Sequence, residues 1–530
     1  MVNLSIPSIQ SWMQDALNDG FKALQENNIR EASAICHKLL KSKPDLVEAH
    51  FLVGLIALER KDRKTAIQAF GSVTTLDKTH SAAWVHLSKE FIDSGQINRA
   101  DQALKEAVKY DCDNHVVQSL MGYIYTKLGD YQSAEFWQSK ASATNADNLP
   151  YTVNHAYSLL YLGKIEECKA NLKKVFKQFP DHSQSHFILA TARKAKTYEH
   201  VDELERLTKQ DGLQPADSAF LYYALGKEYE DLQEWEKAFS AFENGANARR
   251  SIIQYNEEAE SAAFEVLEKT FTKEWLASQE EGCEDVSPVF ILGQPRTGST
   301  LIERVVSSHS LIHSAGELQQ FSMSLRRLAD HRNPEWFSSE FIRQTAELSG
   351  KKIGEMYLKT SEKMRGDLPH FVDKMPSNYR FIPLILKAFP NAKIIHVKRN
   401  PMDACFASYK QLFSDAYGHS YNQREMARHH ARYYHLMECW RERFPGRFLD
   451  IEYEEVVRDI ESNAKKMIDY MDLPWEDRCL NFHKQDVLVA TASTVQVREP
   501  AHSRSIDRWR KYENQLAPMV DELVKCGIDV

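Results

Sequence analysis

Eight residues, Gly293-Gln-Pro-Arg-Thr-Gly-Ser-Thr300, bring together the glycines, hydroxyls and cation that an anion site needs. The apolar stretch Val289-Phe-Ile-Leu292 precedes them and Leu301-Ile-Glu-Arg-Val-Val306 follows, which reads as strand, loop and helix. That arrangement points backbone N–H groups and a helix N-terminus at a phosphate. The spacing approaches the G-x4-G-K-[ST] nucleotide loop, but Ser299 stands where the lysine belongs. A γ-phosphate needs that charge. Arg296 places a cation inside the turn instead, so Pro295, Arg296, Thr297, Gly298, Ser299 and Thr300 are expected to hold a nucleotide whose 5′ group is an anion other than triphosphate.

The elements that must position this loop follow from periodicity. Apolar runs of strand length recur at Ala392-Lys-Ile-Ile-His-Val397 and at Arg447-Phe-Leu-Asp-Ile-Glu-Tyr453, with helical patterns between them. Alternating strand and helix predicts a parallel sheet that binds ligands at the carboxyl ends of its strands. Lys398-Arg-Asn-Pro401 directly follows the second run, so Arg399 stands at such an end as a second basic position.

Bulk properties exclude several classes. The 530 residues are too many for one core, which predicts two to four domains. A net charge of −8 and the lack of a long basic run argue against a nucleic-acid partner. No stretch approaches 18 uncharged apolar residues and Met1-Val-Asn-Leu-Ser-Ile-Pro lacks a leader pattern, so a cytoplasmic protein with no transmembrane segment is expected. Eight scattered cysteines with no C-x2-C pair indicate neither a zinc site nor a disulfide framework.

The first half repeats. Small residues recur every 34 positions at Gly20, Gly54, Ser88, Gly122 and Ala156, and a second set follows twelve later at Ala32, Ala66, Ala100, Ala134 and Cys168. Trp84, Phe70, Pro44 and Pro180 fall at the remaining signature positions, and Leu225-Gly226, Tyr229, Ala238 and Phe242 restart the pattern after a degenerate sixth unit and a two-residue slip. The pattern resembles tetratricopeptide repeats, which implies a superhelix whose concave face binds a peptide or partner protein. The lesser alternative is a plain scaffold or the arm of a homodimer. Residues 1–250 are therefore read as the array, 251–284 as a charged helical connector, and 285–530 as the α/β domain.

From about residue 288 to 512 the chain resembles the sulfotransferase superfamily, most closely its tyrosylprotein branch and bacterial fusions of tetratricopeptide repeats to a sulfotransferase. Pro295-Arg-Thr-Gly-Ser-Thr300 is similar to the branch's 5′-phosphosulfate loop, Ile394-Ile-His-Val-Lys-Arg399-Asn-Pro to its 3′-phosphate element, and Asp373-Lys374-Met-Pro376 to its catalytic-lysine motif. Gly316-Glu317, 21 residues beyond Arg296, matches the spacing of the family's general base. The resemblance implies 3′-phosphoadenosine 5′-phosphosulfate (PAPS) as donor, Glu317 as base, Lys374 and Arg296 as stabilisers of the transferred group, and no metal. The plain alternative for Lys374 is a strand-end lysine paired with Asp373.

The family's 3′-phosphate serine lies eight residues after the arginine, where this chain has Ala407; Ser408 is ninth, and a one-residue step on a helix turns a side chain by about 100°. Ser408 is carried as the ligand, with Lys398 or Lys410 as compensators. Tyr453, Ser493 and Arg498 lie in segments that resemble the nucleotide surroundings of the family, and Ser505-Ile-Asp-Arg508-Trp509 resembles its closing segment. A carboxylate with an ordinary pKa is a weak base toward a phenol, so partial burial of Glu317 is expected. His429, His430 and His435 lack the i, i+4 spacing of a helical zinc pair, and residues 413–422 suit either a substrate lid or an ordinary exposed loop. The acceptor is expected to be protein tyrosine. A saccharide or small alcohol is the runner-up, and a P-loop kinase or an inactive repeat-based binding protein are the readings from other classes.

Overall fold

The computed structural model describes residues 11–484 and 503–530, apart from 111, 146, 279–281, 332, 334, 336 and 414–415. Contacts divide the chain into two compact units, Met1–Tyr151 and Thr152–Val530.

In the first unit, helices from Ser11–Gln25 to Tyr131–Thr144 form consecutive hairpins. The repeat is written into the backbone. Asn27, Lys61, Gly95 and Gly129 adopt left-handed conformations with φ of 58°, 57°, 69° and 81°, each closing the first helix of a pair. The next residue caps the second helix: Asn28, Asp62 and Asp130 accept from the backbone N–H groups of Glu31, Thr65 and Ser133. Small residues let the paired helices touch. A Cβ on Gly54 would sit 2.5 Å from the Phe70 ring, and the Ser88 hydroxyl donates to the Ala100 carbonyl at 2.7 Å.

The second unit begins with later members of the same pattern. Gly163 is left-handed at the repeat position, and Gln233 is left-handed two residues out of phase, where the two-residue slip falls. The helix pair Pro215–Asp231 and Trp235–Arg250 shares an apolar core with the helices Pro401–Tyr409, Gln423–Arg443 and Ala517–Lys525. Tyr223, fully buried, donates its hydroxyl to the Tyr409 carbonyl at 2.9 Å. The expected connector contains the helices Glu257–Thr270 and Lys273–Ala277.

Five strands, β1 (Pro288–Gly293), β2 (Ile312–Ser314), β3 (His370–Asp373), β4 (Lys393–Lys398) and β5 (Leu449–Glu452), form one sheet in the order β2-β3-β1-β4-β5. Every pairing is parallel. All six residues of β1 are buried, as a strand covered on both faces must be. The chain runs from β1 to one side of the sheet and returns to the other, so the carboxyl ends of β1 and β4 flank the switch point where such sheets bind ligands. All eight cysteines are described, and no disulfide joins any of them among the described residues. Among the described residues no helix is long and apolar enough to cross a membrane.

Candidate active site

The glycine-bounded loop leaves β1 and enters the helix Ser299–Val306 through Gly298. Its shape depends on backbone that branched residues resist. Gly293 has φ +150° with the Val397 carbonyl 2.6 Å from where a Cβ would be, and Gly298 has φ +96° with the Tyr453 ring filling the same place. Arg296 itself is left-handed, φ 68°. Thr297 donates its hydroxyl to the Gln294 carbonyl at 2.8 Å, which tightens the turn. Thr297, Ser299 and Thr300 are all buried.

Arg399, just past β4, clasps the loop from the side. Its guanidinium donates to the Arg296 carbonyl at 2.8 Å and to the Ser505 carbonyl at 2.7 Å, and lies 4.8 Å from the centre of the Tyr453 ring. Its Nε is buried with no hydrogen-bond partner among the described residues. Burial, followed by the nearness of Arg399, pushes the Arg296 guanidinium down to about 10. Two cations held together against their mutual repulsion are an arrangement that an anion would relieve. Ser408 belongs to this group: its hydroxyl donates to the Pro295 carbonyl at 3.2 Å from a buried position, whereas Ala407 is half-buried. Of the two compensators, Lys398 pairs with Glu452 at 2.6 Å, and Lys410 with Glu230 at 2.6 Å.

Lys374 follows β3 directly and is 1% exposed. It stands at the strand end but is neither exposed nor hydrogen-bonded to Asp373. Its ammonium meets Glu317 at 2.5 Å and Glu303 at 3.8 Å, while Asp373 turns away to accept from Tyr357 at 2.9 Å. Burial alone would lower the Lys374 ammonium, but the two carboxylates outweigh it and hold it above its ordinary range. Burial pushes the Asp373 carboxyl up to about 7.

Glu303 is a member that the sequence reading missed. It lies on the helix behind the loop, accepts from Ser314 at 2.6 Å, and is raised by burial. The burial expected of Glu317 is found there instead: the Glu317 side chain is 43% exposed, and that of Glu303 is 6% exposed. The reason is position. Glu317 sits on the open segment after β2, and Glu303 faces the sheet.

Tyr453 opens the helix after β5 and covers Gly298. Ser493 and Arg498 lie outside the described residues. The segment at 413–422 is no ordinary exposed loop where it is described: His419, Ser420 and Tyr421 are buried, and Tyr421 accepts from the Phe413 N–H at 2.9 Å. Tyr417, left-handed at φ 59°, lies within electrostatic reach of Glu317.

His429 finds its neighbours in other elements. Its ring stacks on His419 with centroids 3.5 Å apart, and its Nδ1 meets Glu260 at 3.0 Å. These three residues place ligand atoms within 4.8 Å of one another, but the Glu260 carboxylate also meets Arg432 at 3.0 Å and Arg380 at 3.8 Å. Two guanidinium groups already outweigh its single negative charge, which works against a dication.

Residues 288–477 match the sulfotransferase family and residues 117–148 the tetratricopeptide repeat. An uncharacterised protein of Aquifex aeolicus (strain VF5) is 30% identical over 337 residues, covering 62% of this chain and 44% of the relative. The protein-tyrosine sulfotransferase of Drosophila melanogaster is 24% identical over 42% of this chain and 46% of its own length. Protein-tyrosine sulfotransferase A of Caenorhabditis elegans is 22% identical over 43% of this chain and 63% of its own length. The chain thus spans less than half of the first two relatives. Among solved structures, the sulfotransferase domain of the Synechococcus PCC 7002 olefin synthase is 20% identical with a TM-score of 0.32, covering 48% of this chain and 98% of that one. Residues 288–477 thus carry the match to the sulfotransferase family, and residues 117–148 the match to the tetratricopeptide repeat within a run of helix hairpins.

Proposed function

We propose that this protein transfers a sulfuryl group from PAPS to the hydroxyl of protein tyrosine. The observation that carries the reading is Lys374, buried between Glu317 and Glu303 at the end of β3, one strand from the loop that holds Arg296. Arg296 and the loop N–H groups take the 5′-phosphosulfate, while Arg399 and Ser408 take the 3′-phosphate. Sulfuryl transfer in line to a hydroxyl demands positioning and charge stabilisation, by analogy with phosphoryl transfer. Glu317 accepts the acceptor's proton as the new O–S bond forms. Lys374 steadies the charge that builds on the bridging oxygen as the old bond breaks, leaving adenosine 3′,5′-bisphosphate. The open position of Glu317 leaves an acceptor room to approach it.

Tyrosine is favoured by the names of the Drosophila and Caenorhabditis relatives. The repeats would deliver the protein substrate on their concave face. Incubation with sulfur-labelled PAPS and a tyrosine-peptide library tests the reading. Label on tyrosine supports it, label confined to saccharides or small alcohols moves the acceptor to that class, and turnover of ATP with magnesium in place of PAPS overturns it.

A further inference from the structure

Glu230 lies near the end of the repeat helix Pro215–Asp231, far in sequence from the loop, yet its carboxylate is inserted beside the donor site. Oε1 takes the Lys410 ammonium at 2.6 Å, the Arg508 Nε at 3.2 Å and the Tyr512 hydroxyl at 3.0 Å, and Oε2 meets Arg508 Nη2 at 3.1 Å. The Glu230 side chain is 10% exposed and that of Lys410 18%. Both cations are anchored to the 3′-phosphate group of residues. Lys410 stands two positions after Ser408, and Arg508 three after Ser505, whose carbonyl accepts from Arg399. Asp403 fixes that second segment by accepting from the N–H groups of Asp507 at 2.7 Å and Trp509 at 3.2 Å.

We propose that Glu230, a residue of the repeat array, positions Lys410 and Arg508 to receive the donor's 3′-phosphate, so that the array completes the nucleotide site. This rests on the PAPS reading of the loop. Lys410 has three N–H donors and Arg508 five, so a contact with Glu230 leaves each with donors for a phosphate. Lys410 also needs the carboxylate for its charge. Burial, with Arg508 and Arg296 adding to it, pushes the ammonium down to about 8, and Glu230 is the group that opposes them. Tyr512 shares Glu230 and the Phe406 ring lies 5.2 Å from the ammonium; neither supplies a charge.

The test is equilibrium binding of adenosine 3′,5′-bisphosphate and adenosine 5′-phosphate to the full chain by calorimetry at pH 6 and pH 8. Glu230→Gln is expected to weaken the bisphosphate about tenfold at pH 8 and clearly less at pH 6, and to leave the monophosphate within about twofold. Glu230→Asp, which keeps the charge, should keep the two pH values together and guards against a variant that fails to fold. Equal weakening of both nucleotides would reduce Glu230 to a structural role. Tighter bisphosphate binding would make it a competitor of the phosphate, and either result overturns the proposal. A wild-type chain that does not prefer the bisphosphate overturns the donor reading itself.

Discussion

Lys374→Met separates chemistry from stability at one position. In the native protein the ammonium lies 3.8 Å from Glu303, whose side chain is 6% exposed. At an effective dielectric of about 20 that attraction is worth about 4 kcal/mol, whereas the partly exposed Glu317 is screened and adds little to stability. Methionine leaves Glu303 buried without its ammonium partner, so the variant should lose about 3–5 kcal/mol at neutral pH. The loss has a pH signature. Burial raises the Glu303 carboxyl from its ordinary 4.5. A carboxyl raised in the folded state destabilises when ionised, so the penalty grows as pH rises above 4.5 and disappears below it. The double variant Glu303→Gln/Lys374→Met removes the orphaned charge and should recover most of the stability. Turnover should stay about 10²–10³-fold down in both, since no ammonium stabilises the leaving group. Denaturant unfolding at pH 5 and pH 8, with label transfer to a tyrosine peptide, reads the two effects separately. Near wild-type turnover in either variant would refute the role of Lys374. An equally unstable double variant would refute the role of Glu303.

Three further outcomes are expected. Glu317→Gln should lower turnover about 10²–10⁴-fold while adenosine 3′,5′-bisphosphate binds as before, and pre-steady-state transfer at wild-type rate would exclude it as the base. Arg399→Lys should weaken nucleotide binding at least about tenfold despite keeping the charge, because one ammonium cannot span two carbonyls and a ring face; calorimetry checks it. Asp373→Asn should flatten the pH dependence of stability: Asp373 is raised to about 7, so its cost sets in as pH climbs from about 4 and is complete above about 7. The gain of the variant over wild type in urea unfolding should therefore be larger at pH 8 than at pH 5.

The 34-residue period was legible because two helices must approach closely at a fixed place in every unit, and Gly54 against Phe70 returns as Gly226 against Phe242. The left-handed turn residue at each unit was harder to see, since Asn27 and Lys61 occupy it as well as glycines. Strands β1, β4 and β5 announced themselves as apolar runs. Strands β2 and β3 did not: three and four residues are too few for a period, and His313 interrupts the one while His370 opens the other. Spacing alone does not show where Ser408 points; its helix leaves Asn400 so that the hydroxyl turns to the Pro295 carbonyl of the loop. Glu303 and Glu230 were invisible for a different reason. Each lies in an ordinary helical pattern, and only the packing of distant segments shows what its charge faces.

Two of the residues that hold the glycine-bounded loop, Ser408 and Arg399, end on main-chain oxygens. Ser408 reaches the carbonyl of Pro295, and Arg399 reaches those of Arg296 and Ser505. A carbonyl is present whatever side chain accompanies it. Residues 295 and 505 can therefore change identity without releasing the clasp, residue 296 only to side chains that accept its left-handed φ of 68°, while 399 and 408 have no such freedom. The mounting of the loop thus rests on the side chains of 399 and 408 and on the backbone they grip.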